Sequence, residues 1–99
     1  MAYYFVGNVT ISDQALYEQY VEQAMPILLE HGGKPLVFDH SGEFLEGSGG
    51  PSLVVIEFES EENAMAWYHS DAYQAVLPKR LKSSDGWVRG VNGFVMPEG

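Results

Sequence analysis

The segment Leu53-Val54-Val55-Ile56-Glu57-Phe58-Glu59 constrains this chain most. It alternates, with Val54, Ile56 and Phe58 on one face and Leu53, Val55 and Glu57 on the other, so it predicts a strand over 53–59. Both faces carry apolar side chains. A sheet built on such a strand needs cover on both sides. With 99 residues, 45% of them apolar, the chain is one domain with a small core.

The rest of the chain supplies cover for one face. Residues 3–11 read as a strand, with Tyr3, Phe5, Val9 and Ile11 on one side and Tyr4, Val6, Asn8 and Thr10 on the other. Ser12 or Asp13 caps a helix that runs to about residue 31. Its apolar stripe is Leu16, Tyr17, Tyr20, Val21, Ala24 and Leu28, and Pro26 is expected to kink or divide it. His31-Gly32-Gly33 ends it. A second strand covers 34–40, and the Gly-rich stretch 41–52 is a loose hairpin connection. Ser60 caps a helix carrying Ala64, Trp67 and Tyr68 towards the sheet. Ser70 caps a short helix over Asp71 to Leu77 that Pro78 interrupts. Asp85-Gly86 reads as a turn and 87–96 as the last strand.

The order is strand, helix, strand, strand, helix, strand. It predicts a ferredoxin-like α+β sandwich, a four-stranded antiparallel sheet with the helices on one face. The other face, bearing Val6, Leu53 and Val55, is a large apolar patch for a monomer. A two-fold homodimer that packs sheet on sheet covers it.

The net charge of −9, from 14 acidic and 5 basic side chains, argues against nucleic acid or an anionic membrane as partner. Four of the five cations (Lys79, Arg80, Lys82 and Arg89) cluster late in the chain. That cluster reads either as a site for an anion such as a carboxylate or as a solvated turn. There is no Cys, so thiolate catalysis, disulfides and zinc–thiolate sites are excluded. No apolar run approaches roughly 18 residues and the N-terminus lacks a basic region, so a cytoplasmic location is expected.

One segment gathers aromatic, hydroxyl, imidazole and cationic groups: Trp67-Tyr68-His69-Ser70, Tyr73-Gln74, Leu77-Pro78, Arg80 and Ser83-Ser84. Together with Tyr17, Tyr20, His31-Gly32-Gly33 and Val55-Ile56-Glu57-Phe58, in this order and spacing, it resembles the bacterial family called domain of unknown function 1330. The resemblance spans nearly the whole chain. It implies a dimeric α+β barrel, in which two ferredoxin-like sheets close around a shared interior. Relatives by fold include cofactor-free monooxygenases, lactone isomerases and some haem proteins, but fold alone carries no reaction.

Glu57 points away from the helices, towards the space between two sheets. It reads as a general base or as an inter-subunit ion pair with Arg80 or Arg89. Asn8, on the same face, would orient a ligand carbonyl or satisfy neighbouring polar groups. Arg80 is an anion clamp, or it pairs with Glu57 or Asp71. Trp67, Tyr68 and Tyr73 are core, or the aromatic wall of a pocket. His31 serves the helix terminus or acid–base work. His31, His40 and His69 have no metal-ligand spacing, and no cofactor is expected.

The leading expectation is a small-molecule-binding dimer, with acid–base chemistry at Glu57 on a small anionic or carbonyl metabolite. One alternative is a structural dimer module without chemistry. Another is a cofactor-free monooxygenase.

Overall fold

The computed structural model describes residues 1–97. In chain order the elements are β1 (Tyr3–Ile11), α1 (Gln14–Glu30), β2 (Lys34–Asp39), β3 (Ser52–Phe58), α2 (Glu61–Tyr68), α3 (Asp71–Ser83) and β4 (Ser84–Asn92). The strands form one antiparallel sheet in the order β2-β3-β1-β4. This is the expected sandwich, with the second helical region divided into α2 and α3.

The caps explain where the helices start. The side chains of Asp13, Ser60 and Ser70 accept hydrogen bonds from the backbone N–H of Leu16, Asn63 and Tyr73. Gly32, with φ of 79°, takes the left-handed conformation that releases the chain from α1. His31 Nδ1 lies 2.8 Å from the carbonyl oxygen of Ile27, so its ring serves that helix end.

The interruption expected at Pro78 needs correction, and of the two outcomes expected at Pro26 division is not found. Pro26 lies inside α1 without dividing it, and Pro78 lies inside α3, which continues to Ser83. Each ring removes one backbone donor. The residues left short, Glu22 and Gln74, are exposed, and water can take the place of the missing donor. Meanwhile the inward faces (Tyr17, Tyr20, Ala24 and Leu28 on α1; Tyr73, Leu77 and Ser83 on α3) are buried. Burial of those faces holds the helices across the prolines.

Register fixes the two faces of the sheet. Phe5↔Ile56, Gly7↔Val54 and Gly7↔Val88 set one face under the helices. Tyr4↔Glu57, Val6↔Val55 and Val6↔Arg89 set the other, which no helix among the described residues covers. Paired residues point the same way. Trp87 and Val91 therefore join the open face, and Val88 faces the helices.

Asp85-Gly86 is not a turn. It lies within β4, where Thr10↔Asp85 and Val9↔Gly86 are paired, and the strand ends at Asn92 instead of Met96. The Ser83 carbonyl accepts from the N–H of Ser12 at 2.8 Å and of Asp13 at 3.2 Å. That clamp feeds α3 straight into the ladder. Beyond the strand, Gly93 N–H donates to the Ala2 carbonyl at 2.7 Å.

The core lies between the sheet and the helices. It gathers Tyr3, Tyr17, Tyr20, Ala24, Leu28, Ile56, Phe58, Ala64, Trp67, Tyr73 and Leu77. Backbone approaches are uneven across it. α2 comes close to β1 and β3, whereas α1 packs mainly on α3. Under α1 the gap to the sheet is spanned by side chains alone.

Candidate functional site

That gap holds a cavity of about 160 Å³. An apolar cavity of roughly 150 Å³ accommodates benzene. Gly7, in the middle of β1, contributes no side chain to the floor, which Phe5, Val9, Val54, Ile56 and Val88 complete. Tyr17, Tyr20, Val21, Ala24, Met25 and Leu28 of α1 form the roof. Pro35, Val37 and Phe38 of β2 form one flank, and Trp67 and Arg80 are the remaining lining residues.

Among the described residues, Arg80 is the only lining residue with a formal charge. It is half-buried, and its Nε is fully buried with no hydrogen-bond partner among the described residues. Burial disfavours its charge. The phenol oxygens of Tyr73 and Tyr20 beside it outweigh that, so its pKa lies above the ordinary value. The residue is a permanent cation against an apolar wall. The second unpartnered buried donor is Trp67 Nε1, on a side chain only 2% exposed. Leaving such a donor unpaired costs about 1–3 kcal/mol.

Tyrosines surround the cation. The hydroxyls of Tyr20 and Tyr73 are 2.8 Å apart and share a hydrogen bond. Burial raises the pKa of both Tyr17 and Tyr20, with the nearby Arg80 charge only partly opposing it. Both phenols therefore stay protonated and act as hydrogen-bond donors rather than bases. At the rim, the His40 ring packs edge-on against Phe38 and Tyr17, with centroids 4.6 and 6.5 Å apart. Its Nδ1 is 2.8 Å from Ser52 Oγ.

The tyrosines make alkaline stability a direct readout. An unfolded chain ionises its phenols near 10, whereas folded Tyr20 keeps its proton well above that. Above pH 10 the unfolded state therefore binds fewer protons than the folded one, and stability falls as pH rises. Denaturation followed from pH 8 to 11 should give a midpoint that is flat at first and then declines above pH 10. Tyr20→Phe should flatten the decline. An equal decline in that variant would place the effect elsewhere.

The residues singled out from sequence divide between the two faces of the sheet. Trp67 and Arg80 reach the cavity, and Tyr73 stands behind Arg80. Tyr68 is half-buried beside them, its ring 5.5 Å from Tyr73 and 6.1 Å from Phe5. Glu57 is on the open face, where its carboxylate accepts a 2.9 Å hydrogen bond from the Tyr4 hydroxyl. That bond and the Glu57 charge raise the Tyr4 pKa. The sheet thus separates Glu57 from Arg80, and the two do not pair within one protomer. Asn8 is also spoken for: its side chain donates to the carbonyls of Gly50 at 2.9 Å and Ser52 at 3.1 Å, and accepts from Gly50 N–H at 3.1 Å. It pins the hairpin connection to β1. His31 is occupied at the end of α1. Among the described residues no group of three or more His, Asp or Glu side chains is placed to hold a metal ion.

Sequence reasoning missed the cavity itself. Two signals were present. Gly7 interrupts an otherwise large apolar series, Tyr3, Phe5, Val9 and Ile11, on the helix-facing side of β1. Tyr73 and Arg80 are seven residues apart, two helical turns, and so share a face of α3.

The family profile described as "Domain of unknown function (DUF1330)" matches residues 2–94. The chain belongs to this family. No curated protein matches it. Among solved structures, the fold resembles the RPA0582 protein of unknown function from Rhodopseudomonas palustris. That match has a TM-score of 0.79 and 13% identity, and covers 96% of this chain and 84% of that one. SnoaB, a cofactor-independent oxygenase from Streptomyces nogalater, is similar with a TM-score of 0.70 and 10% identity over 98% of both chains. HapK from Hahella chejuensis is similar with a TM-score of 0.64 and 10% identity, over 98% and 97%. The DUF1330 chain thus has the ferredoxin-like fold of the dimeric α+β barrel proteins. At these identities the likeness concerns fold alone. No helix among the described residues is long and apolar enough to cross a membrane.

Proposed function

We propose that this protein binds a small, largely apolar molecule in the cavity beneath α1, with an anionic or carbonyl head directed at Arg80. One observation carries the reading. Among the described residues, a single charged guanidinium lines an otherwise apolar cavity. The permanent charge of the guanidinium attracts an anionic or carbonyl oxygen to that wall. The apolar floor and roof supply affinity without direction, and Arg80 supplies direction. The site is therefore centred on Arg80 and Trp67, with Tyr73 in support. Glu57 and Asn8 belong to the opposite face.

That face supports a homodimer. Leu53 is 37% and Trp87 49% exposed there, alongside Val6, Val55 and Val91. A two-fold pairing of sheet on sheet would remove this surface from water. It would leave one ligand cavity in each protomer, on the outer side of its sheet. Native mass spectrometry should then give a dimer, and Trp87→Glu should convert it to monomer. A parent protein that runs as a monomer would overturn the pairing without touching the cavity.

Benzoate is a suitable probe of the cavity, since it joins one ring to one carboxylate. Calorimetric titration should give binding of one benzoate per chain. Arg80→Met should weaken it by tenfold or more, as expected when a hydrogen bond to a charged group is lost. Gly7→Leu should abolish it by filling the floor. A Cβ at Gly7 meets only Val88 Cγ2 at 3.5 Å and the Trp87 carbonyl oxygen at 3.9 Å, so the backbone tolerates a side chain there. Unchanged affinity in both folded variants would sink the reading.

A further inference from the structure

We propose that Phe94-Val95-Met96 is an arm that packs on the open sheet face of a second copy of this chain, so that each protomer of the homodimer clasps the other. The inference rests on the sheet-on-sheet homodimer and names a contact that such a pairing makes.

Three observations lead to it. First, the segment is apolar and uncovered. Phe94 is 81%, Val95 67% and Met96 73% exposed. Segments that stay unfolded in water are poor in large apolar groups. Here three of them follow one another, in a chain with a net charge of −9. Contiguous apolar surface rimmed by polar residues marks an interaction site.

Second, the root of the arm is fixed beside the open face. Gly93 N–H donates to the Ala2 carbonyl at 2.7 Å. A Cβ at Gly93 would stand 3.0 Å from the Ala2 carbonyl oxygen and 3.1 Å from Tyr4 Cε2, so the chain runs tight against the Tyr4 ring as it leaves the sheet. Tyr4 belongs to the open face, and its hydroxyl is tied to Glu57 at 2.9 Å. A held root with an uncovered tip is what a reaching segment needs, because little order remains to be lost on docking.

Third, the reach matches. Stacked sheets lie about 10 Å apart, and an extended chain advances about 3.3 Å per residue. Phe94 to Met96 can therefore cross from one sheet to the next. The arm follows β4, which is an edge strand, so it leaves the sheet at its rim and can pass around the partner's. The receiving face offers Val6, Leu53, Val55 and Val91, all apolar and partly exposed. Pro97 has no N–H to donate, which discourages the arm from extending as a strand. Two-fold symmetry makes the contact twice, with one arm on each face.

The test uses the full chain. Sedimentation equilibrium of the parent should give a dimer. The double variant Phe94→Ser, Met96→Ser should raise the dissociation constant tenfold or more, as the loss of two apolar contacts per protomer implies. Both side chains are exposed within the protomer, so its circular dichroism should not change. A second measurement leaves the arm intact. In mixed dimers of isotope-labelled and unlabelled parent, isotope-filtered nuclear Overhauser effects should connect the Met96 methyl of one protomer with a methyl of the partner's Val6, Leu53, Val55 or Val91.

Two failures are distinguishable. If the parent dimerises but the double variant keeps its dissociation constant, or no such effect connects the protomers, the arm is overturned and the homodimer stands. If the parent stays monomeric, the homodimer falls, and the arm falls with it.

Discussion

Trp67→Ala should cost about 3–5 kcal/mol of folding stability, the range for deleting a large buried aromatic. Trp67 is 2% exposed and touches Phe5, Phe58 and Tyr73, so it joins β1, β3 and α3 through one ring system. Its loss would merge with the cavity beneath α1 and leave a larger void that the aromatic neighbours cannot close. Trp67→Phe should behave differently. It keeps most of the packing and removes an N–H that had no partner, so no protein group is left newly unpaired. Urea denaturation of the two variants separates packing from polarity. Equal losses would mean that the indole nitrogen has a structural partner after all.

Gly86→Ala should be nearly as damaging, at about 2–5 kcal/mol, although it adds a single methyl group. Gly86 has φ of 153°, a conformation that L residues rarely adopt. Its Cβ would run into the Asn8 carbonyl oxygen and come within 2.9 Å of Val9 Cα. Both obstacles are backbone, so no rotamer change relieves them. β4 would have to pull away from β1 where α3 hands over to the sheet. Asn8 in turn holds Gly50 and Ser52, so the disturbance would spread to the hairpin connection. Thermal unfolding of Gly86→Ala against Gly90→Ala gives an internal control. At Gly90 the close atoms belong to the Tyr3 side chain, which can rotate. A milder loss is expected there, and the reverse order would overturn the backbone account.

Local chemistry wrote much of the fold into the sequence. Strand alternation over β1 and β3 gave the correct faces, and Asp13, Ser60 and Ser70 marked the helix starts. What misled were residues whose meaning depends on distant partners. Pro78 reads as a helix stop, yet its exposed side of α3 tolerates the missing donor while Tyr73 and Leu77 anchor the other side. Asp85-Gly86 reads as a turn because composition alone cannot register Val9 opposite Gly86. The candidate site was legible in its residue types but not in its placement. Arg80 and Trp67 stand out by chemistry. Which face of the sheet they share depends on how α3 packs on α1, and no spacing rule reports that. Glu57 drew attention because its strand register is easy to read, and the register was right. Its relation to Arg80 needed the third dimension.

One edge strand, β2, has a consequence for access to the cavity. All six residues of β2 are exposed, and the strand is paired only with β3, through a register irregularity between Pro35 and Val37. Yet Pro35, Val37 and Phe38 close one flank of the cavity. The flank is thus made of a strand held on one side only. Weakly held edges open locally at a small fraction of the global unfolding cost. Detachment of this one short strand would open that flank while the aromatic cluster around Trp67 stays assembled. Access to the cavity and persistence of the fold thus rest on different parts of the same small domain.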